Sequence, residues 1–364
     1  MRVVFLGTYN ESEVLTGPEK VAKRVFDEYC KTDPAVFVEY YQDGRNHSIF
    51  KKIFGKKIIR NESNSKIIRA GIIPFILFLI RYRPQIIHII TFERFAKLVF
   101  SLKGFLNFKV IFNLHGIVYY ENTELNIVGE KLTVKNHKAE EAFINKSDAL
   151  LYLSDFYIDI GKKYYEIDES KLIKIKNGVD EVFSHSGSTW SANEKLKIVF
   201  SGDIKRKDKG FEFLKKALSA LNQNIDLYIV GSKVYDLNIK DNIKIHFAGF
   251  LNAKELSEFY QDKDIFISAS IYDTFSIAAA EAMCTGLVTI VTTTTGIAQY
   301  IEDGVNGFKV EYGDVGKLNE ILLMLNSDQI LWEKIIIEGQ KIYEMMKWPK
   351  IVKSYRSIYS NLIS

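Results

Sequence analysis

The densest chemical signal in the chain is the run Ile271–Val291, IYDTFSIAAAEAMCTGLVTIV. A predicted strand ends near Ser270, and Asp273-Thr274-Phe275-Ser276 leads into an Ala-rich helix that Gly286 closes as a C-terminal cap would. Seven residues separate Asp273 from Glu281. At about 1.5 Å of rise per residue, Glu281 lies roughly 7–8 Å beyond Ser276 along the axis. One acid at the helix mouth and one further down could hold two parts of an elongated ligand, with the helix N-terminus between them taking a phosphate. An acid among Ile277, Ala278, Ala279, Ala280, Ala282 and Met283 is costly to bury unless it has partners. Ligand hydroxyls would serve; so would a salt bridge or solvent.

A second constellation is the loop Ser201-Gly202-Asp203-Ile204-Lys205-Arg206-Lys207-Asp208-Lys209-Gly210. It follows a predicted strand and precedes a predicted helix, Phe211–Leu221. Cations at the C-terminal edge of a parallel strand point into the crevice where open α/β sheets bind ligands, and there they would neutralise a diphosphate leaving group. A charge run in a loop is otherwise simply solvated. Near the N-terminus, Gly17-Pro18 sets proline at a first helical position, so Gly17 stands where helix amides could meet an anion. The stretch lacks G-x-G-x-x-G, which argues against a nicotinamide dehydrogenase.

These residues need sheets to position them. Short β-branched runs alternate with helical patterns, which argues for βαβ units and parallel sheets. Strands are expected at Val3–Leu6, Ala35–Tyr40, Ile86–Ile90, Lys109–Leu114, Ala149–Leu153 and Leu172–Ile175. A second series covers Lys197–Ser201, Asp226–Val230, Ile243–Ala248, Ile265–Ala269 and Val288–Val291. The polar stretch Ser184–Glu194 reads as the linker between them. After the first strand, Val21, Val25, Phe26 and Tyr29 fall on one apolar helix face.

Composition sets the outer limits. The 364 residues suit two domains. Two distant cysteines, Cys30 and Cys284, exclude a disulfide scaffold and a zinc ribbon and fit a reducing compartment. Arg2 is followed at once by Val3–Leu6 with no signal-like leader, and the longest apolar stretch, Ala70–Ile80, is too short to span a bilayer. A cytoplasmic protein is therefore expected. The net charge of +4 is mild, but Phe50–Arg83 holds nine basic residues against one acid, Glu62. Interleaved with Ile53, Phe54, Ile58, Ile59, Ile67 and Ile68, these charges suit either an anionic membrane surface or a solvated face packed on its own sheet. No nucleic-acid motif accompanies them.

Taken together, these residues resemble the retaining GT-B glycosyltransferases of the glycogen-synthase-like type, glycosyltransferase family four, over nearly the whole chain. The family's E-x7-E motif looks like Asp273…Glu281, continuing as Glu281-Ala282-Met283-Cys284-Thr285-Gly286. Its lysine loop looks like Gly202 through Lys209-Gly210, its glycine loop and helix like Gly17–Val25, and its H-G strand end like Leu114-His115-Gly116. Asn177-Gly178-Val179-Asp180 and Asp303–Phe308 are further echoes.

The resemblance implies an α/β GT-B fold of two Rossmann-like domains whose parallel sheets face each other across a central cleft. Residues 1–178 would bind the acceptor, 179–345 the nucleotide sugar, and the helix 346–364 would cross back onto the first domain. Arg206 and Lys209 are implied to clamp the diphosphate, Glu281 the ribose hydroxyls, and Asp273 the sugar hydroxyls. Backbone amides of Thr274, Phe275 and Ser276 are implied to reach sugar and phosphate, Gly17 to let the N-terminal loop approach the diphosphate, Gly202 to belong to the donor site, His115 to sit over the sugar, and Leu251 to border the base.

The implied activity is metal-independent and needs no cofactor. A hexose or N-acetylhexosamine moves from a nucleotide-diphosphate sugar, expected to be UDP-linked, to a saccharide acceptor. Retention is thought to follow from reaction on the front face, with the leaving phosphate assisting deprotonation of the acceptor. A lipid-linked acceptor in surface-polysaccharide or glycolipid assembly is expected, with peripheral contact to the inner membrane face through 50–83 and no nucleic-acid partner. A nucleotide-sugar epimerase and a non-catalytic partner of another transferase are the alternatives.

The sequence departs from the family pattern where the sugar is read. Asp273 is one methylene shorter than the usual glutamate, Thr274 and Ser276 replace the glycines of E-G-F-G, and Gln299 stands where an acid is common. The lysine loop is one residue longer than usual, so Lys205, Arg206 and Lys207 compete for one role. Asp262-Lys263-Asp264 is formally D-x-D but precedes a predicted buried strand, and the histidines show no zinc-binding spacing.

Overall fold

The computed structural model describes residues 1–41, 48–125, 130–184 and 195–364, without the side chains of 130–132. Apart from Ser184, the expected linker Ser184–Glu194 lies outside the described residues. The chain divides into two compact units, one of residues 1–153, 157–176 and 348–364, the other of 154–156 and 177–347.

The first unit is built on eight strands: β1 (Val3–Leu6), β2 (Ala35–Tyr40), β3 (Lys56–Asn61), β4 (Ser65–Ala70), β5 (Ile86–Ile89), β6 (Lys109–Leu114), β7 (Ala149–Tyr152) and β8 (Leu172–Lys174), in the order β3-β4-β2-β1-β5-β6-β7-β8. Every residue of β1 and β5 is buried, as strands covered on both faces must be. Helices α1 (Gly17–Cys30), α2 (Ile49–Phe54), α3 (Ile72–Tyr82), α4 (Leu98–Leu106), α5 (Val118–Thr123), α6 (Glu130–Lys146) and α7 (Asp155–Gly161) accompany the sheet. The anticipated apolar face of α1 is buried at Val21, Val25, Phe26 and Tyr29.

The basic segment differs from its sequence reading. It is not one amphipathic element but two helices flanking a hairpin, and β3 runs antiparallel to β4, the exception in an otherwise parallel sheet. Ile67 and Ile68 are core residues of β4. Arg60 pairs with Asp27 at 2.9 Å, and Arg69 with Glu39, so these two cations are committed inside the unit.

The second unit carries β9 (Leu196–Ser201), β10 (Ile225–Val230), β11 (Ile243–Gly249), β12 (Ile265–Ser268), β13 (Val288–Thr292) and β14 (Phe308–Val310), all parallel, in the order β11-β10-β9-β12-β13-β14. With α8 (Phe211–Ser219), α9 (Ala253–Tyr260), α10 (Ile277–Thr285), α11 (Val315–Ser327), α12 (Gln329–Gln340) and α13 (Tyr343–Met346) this is a Rossmann-like arrangement. Its core joins Ile198, Phe200, Leu227, Ile229 and Ile290 of the sheet to Leu214, Leu322 and Trp332 of the helices. The three-residue β14 was not among the expected strands.

The chain closes with α14 (Trp348–Ile363), which belongs to the first unit. A buried polar chain ties it to the sheet. Tyr359 donates its hydroxyl to His88 Nδ1 at 2.6 Å, His88 Nε2–H donates to Asn113 Oδ1 at 2.9 Å, and Asn113 Nδ2 donates to Tyr355 at 3.2 Å. Arg356 adds an ion pair to Asp33 at 2.9 Å.

Burial holds the His88 imidazole down at about 3, and Asn113 only partly offsets this. The unfolded chain, with an ordinary histidine near 6.5, therefore binds the extra proton between these values, and stability falls as pH drops through that window. At pH 5 this one group should cost about 2 kcal/mol relative to pH 7. Urea unfolding at both values should show that loss, and His88→Gln should remove it from the pH dependence. An unchanged slope in the variant would assign the acid sensitivity elsewhere.

Candidate functional site

In the second sheet the strand order reverses at β9: β10 and β11 lie on one side, β12 to β14 on the other. The loops leaving β9 and β12 at this switch point form the crevice in which open α/β sheets bind ligands. Two glycines let these loops close on each other. Gly202, directly after β9, has φ +140°, and a Cβ there would stand 3.1 Å from Lys209 Cγ. Gly210, at φ +68°, caps α8, and its Cβ would fall 1.8 Å from the carbonyl oxygen of Ala269 at the end of β12. The contact is fastened by the amide of Ile271 donating to the carbonyl of Asp208 at 2.8 Å.

Across this junction Lys209 Nζ meets Asp273 Oδ2 at 2.9 Å. Asp273 Oδ1 accepts the amides of Ser276 at 2.8 Å and Phe275 at 3.2 Å. Burial pushes the Asp273 carboxyl up, but the Lys209 ammonium and these two amides outweigh it and hold the group below the usual carboxylate range. Asp273 therefore organises the mouth of α10, and the two amides expected at a ligand donate to it. Ser276, the N-cap of α10, is forced to φ +67°, which explains why the related motif favours glycine there. Phe275 is buried, and the Thr274 carbonyl accepts from Ser154 Oγ at 3.3 Å.

The loop after β13 locks this arrangement. Gly296 donates to the carbonyl of Asp273 and Ile297 to that of Phe275, each at 2.8 Å. A Cβ on Gly296 would lie 2.0 Å from the Thr274 carbonyl oxygen. Gly296 was not singled out in the sequence, although it ends the four-threonine run 292–295 as a breaker.

Among the three competing cations, Arg206 forms a two-pronged pair with buried Asp208, Nε to Oδ1 at 3.0 Å and Nη2 to Oδ2 at 2.6 Å. Lys205 lies over the Tyr235 ring, 4.2 Å from its centre, and Lys207 is exposed. Asp208 is thus a supporting residue that sequence reasoning passed over as one more loop charge. Glu281 is buried in the second turn of α10. Leu251 is half-buried in the loop after β11, at the same edge of the sheet but two strands away from β9. The D-x-D pair is structural: Asp264 accepts the amide of Lys197 at 2.8 Å, and Asp262 meets Lys263. Among the described residues no cluster of three His, Cys, Asp or Glu could hold a metal.

The first unit has its own switch point at β1. Gly7 permits the approach of the loop after β5, since its Cβ would lie 2.3 Å from Thr91 Oγ1, and Thr8 donates its hydroxyl to Glu93 at 2.6 Å. His115, just past β6, donates from Nε2 to the carbonyl of Ile90 at 2.6 Å. Burial lowers its imidazole to about 4, so at neutral pH it is uncharged and Nδ1 is the ring's acceptor. Glu140, unnoticed in the sequence, is fully buried and accepts the amides of Val118 at 2.7 Å and Tyr119 at 2.9 Å, capping α5 just after His115. Burial raises its carboxyl to about 7. Gly17 opens α1, where Glu19 accepts the amide of the N-cap Thr16 at 3.0 Å and so forms a capping box.

These backbone constraints predict opposite effects at two positions. Gly210→Ala should lower unfolding free energy by at least ~2 kcal/mol through its clash and positive φ. Ser276→Gly should raise it by up to about 1 kcal/mol by relieving a left-handed residue. Chemical denaturation of both variants checks this, and a stable Gly210→Ala protein would contradict the loop geometry.

Comparison with known proteins is consistent with this geometry. The chain matches the families described as Glycosyltransferase Family 4 over residues 34–183 and Glycosyl transferases group 1 over residues 185–342. It is 26% identical over 218 residues to an uncharacterized glycosyltransferase of Methanocaldococcus jannaschii, an alignment covering 54% of this chain and 55% of the relative. The first curated relatives are thus matched over about half their length. CapM of Staphylococcus aureus, a capsular polysaccharide biosynthesis glycosyltransferase, is 25% identical over 82% of this chain and 76% of its own. Among solved structures, Anabaena HepE in complex with UDP-glucose superposes with a TM-score of 0.72 at 16% identity, covering 99% of this chain and 100% of that one. With its two Rossmann-like units, parallel sheets and closing helix, the chain is a GT-B-fold member of the superfamily that contains the group 1 and family 4 glycosyltransferases.

Proposed function

We propose that this protein transfers a hexose or N-acetylhexosamine from a nucleotide-diphosphate sugar, UDP-linked, to a saccharide hydroxyl with retention at the anomeric carbon, in surface-polysaccharide or glycolipid assembly. The observation that carries this reading is the Lys209–Asp273 pair at the switch point beside Arg206. An ammonium has three donors; one is engaged by Asp273, and the others can meet a diphosphate. The bound UDP-glucose of HepE and the capsular role of CapM support the donor and the pathway class.

In this reading the bond from the anomeric carbon to the diphosphate breaks as the bond to the acceptor oxygen forms on the same face. The acceptor proton passes to the departing phosphate. Lys209 and Arg206 stabilise the charge that develops there, the largest single contribution such a site makes. Glu281, buried in the second turn of α10, takes the ribose hydroxyls. His115, neutral at working pH, accepts a sugar hydroxyl through Nδ1.

Lys209→Ala and Glu281→Ala should each lower turnover by about a hundred-fold or more with the circular dichroism spectrum unchanged. Near-full activity in either variant would remove the site assignment. Incubation with donor alone separates this activity from an epimerase, and the anomeric configuration of the product, read by NMR, tests retention.

The first unit supplies the reason to place the acceptor on a lipid. Ile49, Phe50 and Phe54 of α2 and Ile73, Leu77 and Ile80 of α3 are exposed, and the two helices pack on each other. Lys51, Lys56, Lys57, Arg81 and Arg83 are exposed in the same segment. Apolar side chains among cations suit the inner membrane face, each cation adding about 1 kcal/mol near anionic headgroups. Phosphatidylglycerol vesicles should bind the protein and release it with salt, phosphatidylcholine vesicles should not, and Lys56→Glu with Lys57→Glu should weaken the association. Salt-insensitive or absent binding would withdraw the membrane contact.

A further inference from the structure

The first unit contains a cavity of about 720 Å³, within the size range of small-ligand sites. Its lining is chemically divided. Arg94, Lys97 and Lys146 bring three cations to it, from the 3-10 turn Arg94–Lys97 and the end of α6. The acid of the lining, Glu93, already accepts the Thr8 hydroxyl. The rest of the wall is largely apolar: Phe95, stacked on Tyr40 at 3.8 Å between ring centres, with Ile72, Leu98 and Phe100. Lys97 and Lys146 are exposed and form no ion pair with a described residue.

A ligand matching this surface carries concentrated negative charge at one end and hydrocarbon at the other. A nucleotide would waste the apolar wall, and a neutral sugar would leave the two exposed lysines, Lys97 and Lys146, without a counter-charge. Ile72, which lines the cavity, opens α3, the helix whose Ile73, Leu77 and Ile80 are exposed. Cavity wall and apolar surface stripe are therefore parts of one helix. Cations are the usual partners of phosphate oxygens.

We propose that this cavity binds a lipid phosphate, its phosphate held by Lys97, Lys146 and Arg94 and the first part of its hydrocarbon chain against Phe95, Leu98 and Ile72. The assignment rests on the transferase reading only in taking the lipid phosphate as the handle of the acceptor. It names that substrate class and the residues that recognise it.

The test uses the full-length protein and farnesyl monophosphate below its micellar concentration, with inorganic phosphate and farnesol as separate arms and calorimetric titration as the readout. Farnesyl monophosphate should bind saturably and at least ten-fold more tightly than either fragment. Lys97→Glu with Lys146→Glu should weaken it at least ten-fold, while Lys163→Glu, an exposed change elsewhere in the same unit, should not. Inorganic phosphate binding as tightly would make this a free-phosphate site, and farnesol binding as tightly would remove the cations from recognition; either overturns the proposal. Absence of saturable binding, or indifference to the lysine reversals, does so too. UDP is titrated in parallel. Binding of UDP without farnesyl monophosphate would end the cavity assignment and leave the transferase reading intact, and the converse would leave the cavity and remove the donor site.

Discussion

The contact on which the candidate site depends is the ion pair between Lys209 and Asp273, made across the point where the second sheet reverses its strand order. It joins the loop after β9 to the loop after β12, and each oxygen of the aspartate has a separate task. Oδ2 faces the ammonium, and Oδ1 gathers two amides at the mouth of α10. One carboxylate thus fixes a cation and a helix start together. The approach is possible only because Gly210 and Gly296 lack side chains where neighbouring carbonyl oxygens stand at 1.8 and 2.0 Å from a hypothetical Cβ. In a partly buried setting such a pair is favourable only when the remaining lone pairs are satisfied, and here the backbone satisfies them.

Much of this was legible in the sequence, for identifiable reasons. Strands such as Val3–Leu6 and Ile265–Ser268 are continuous apolar runs between helical patterns, and burial on both faces leaves that mark. Lys209 and Glu281 could be singled out because a charged residue stands beside glycine or alanine, and Asp273 because it lies seven residues before Glu281 at the mouth of the same helix. What escaped was of another kind. β3 of the β3–β4 hairpin is an exposed edge, and its lysines look the same in sequence whether they blunt a sheet edge or face a membrane. Asp208, Glu140 and Gly296 act through backbone groups distant in the chain, and no spacing rule announces such partners. Ser276 was visible as a departure from a glycine, but its left-handed backbone was not.

The shortened acid at 273 has a physical consequence for that departure. An aspartate reaches less far from its own backbone than a glutamate would, and in this structure it turns back onto the amides of Phe275 and Ser276. Two charge-assisted hydrogen bonds to backbone amides, at about 1.5–3 kcal/mol each, are at least of the order of the cost of holding Ser276 at φ +67°. The two departures from E-G-F-G therefore offset each other locally. The loop keeps its shape without the glycine, and it does so by directing the carboxylate inward.

The same theme governs the other groups suited to anions. Arg206 holds Asp208 with two hydrogen bonds, Lys209 holds Asp273, and Glu19 in the first turn of α1 accepts the amide of Thr16. Each of these groups already has a carboxylate of the chain itself as a partner. Affinity for a donor substrate is then a difference between two sets of charge-assisted hydrogen bonds, not the sum of one. Lys209 can keep its aspartate and add a phosphate, because an ammonium has donors to spare. Arg206 presents its guanidinium edge to Asp208 through Nε and Nη2, leaving Nη1 as the nitrogen outside that two-pronged pair. In the proposed reaction Lys209 would therefore contribute most to holding the phosphate, and the Arg206–Asp208 pair would serve first to shape the loop that presents it.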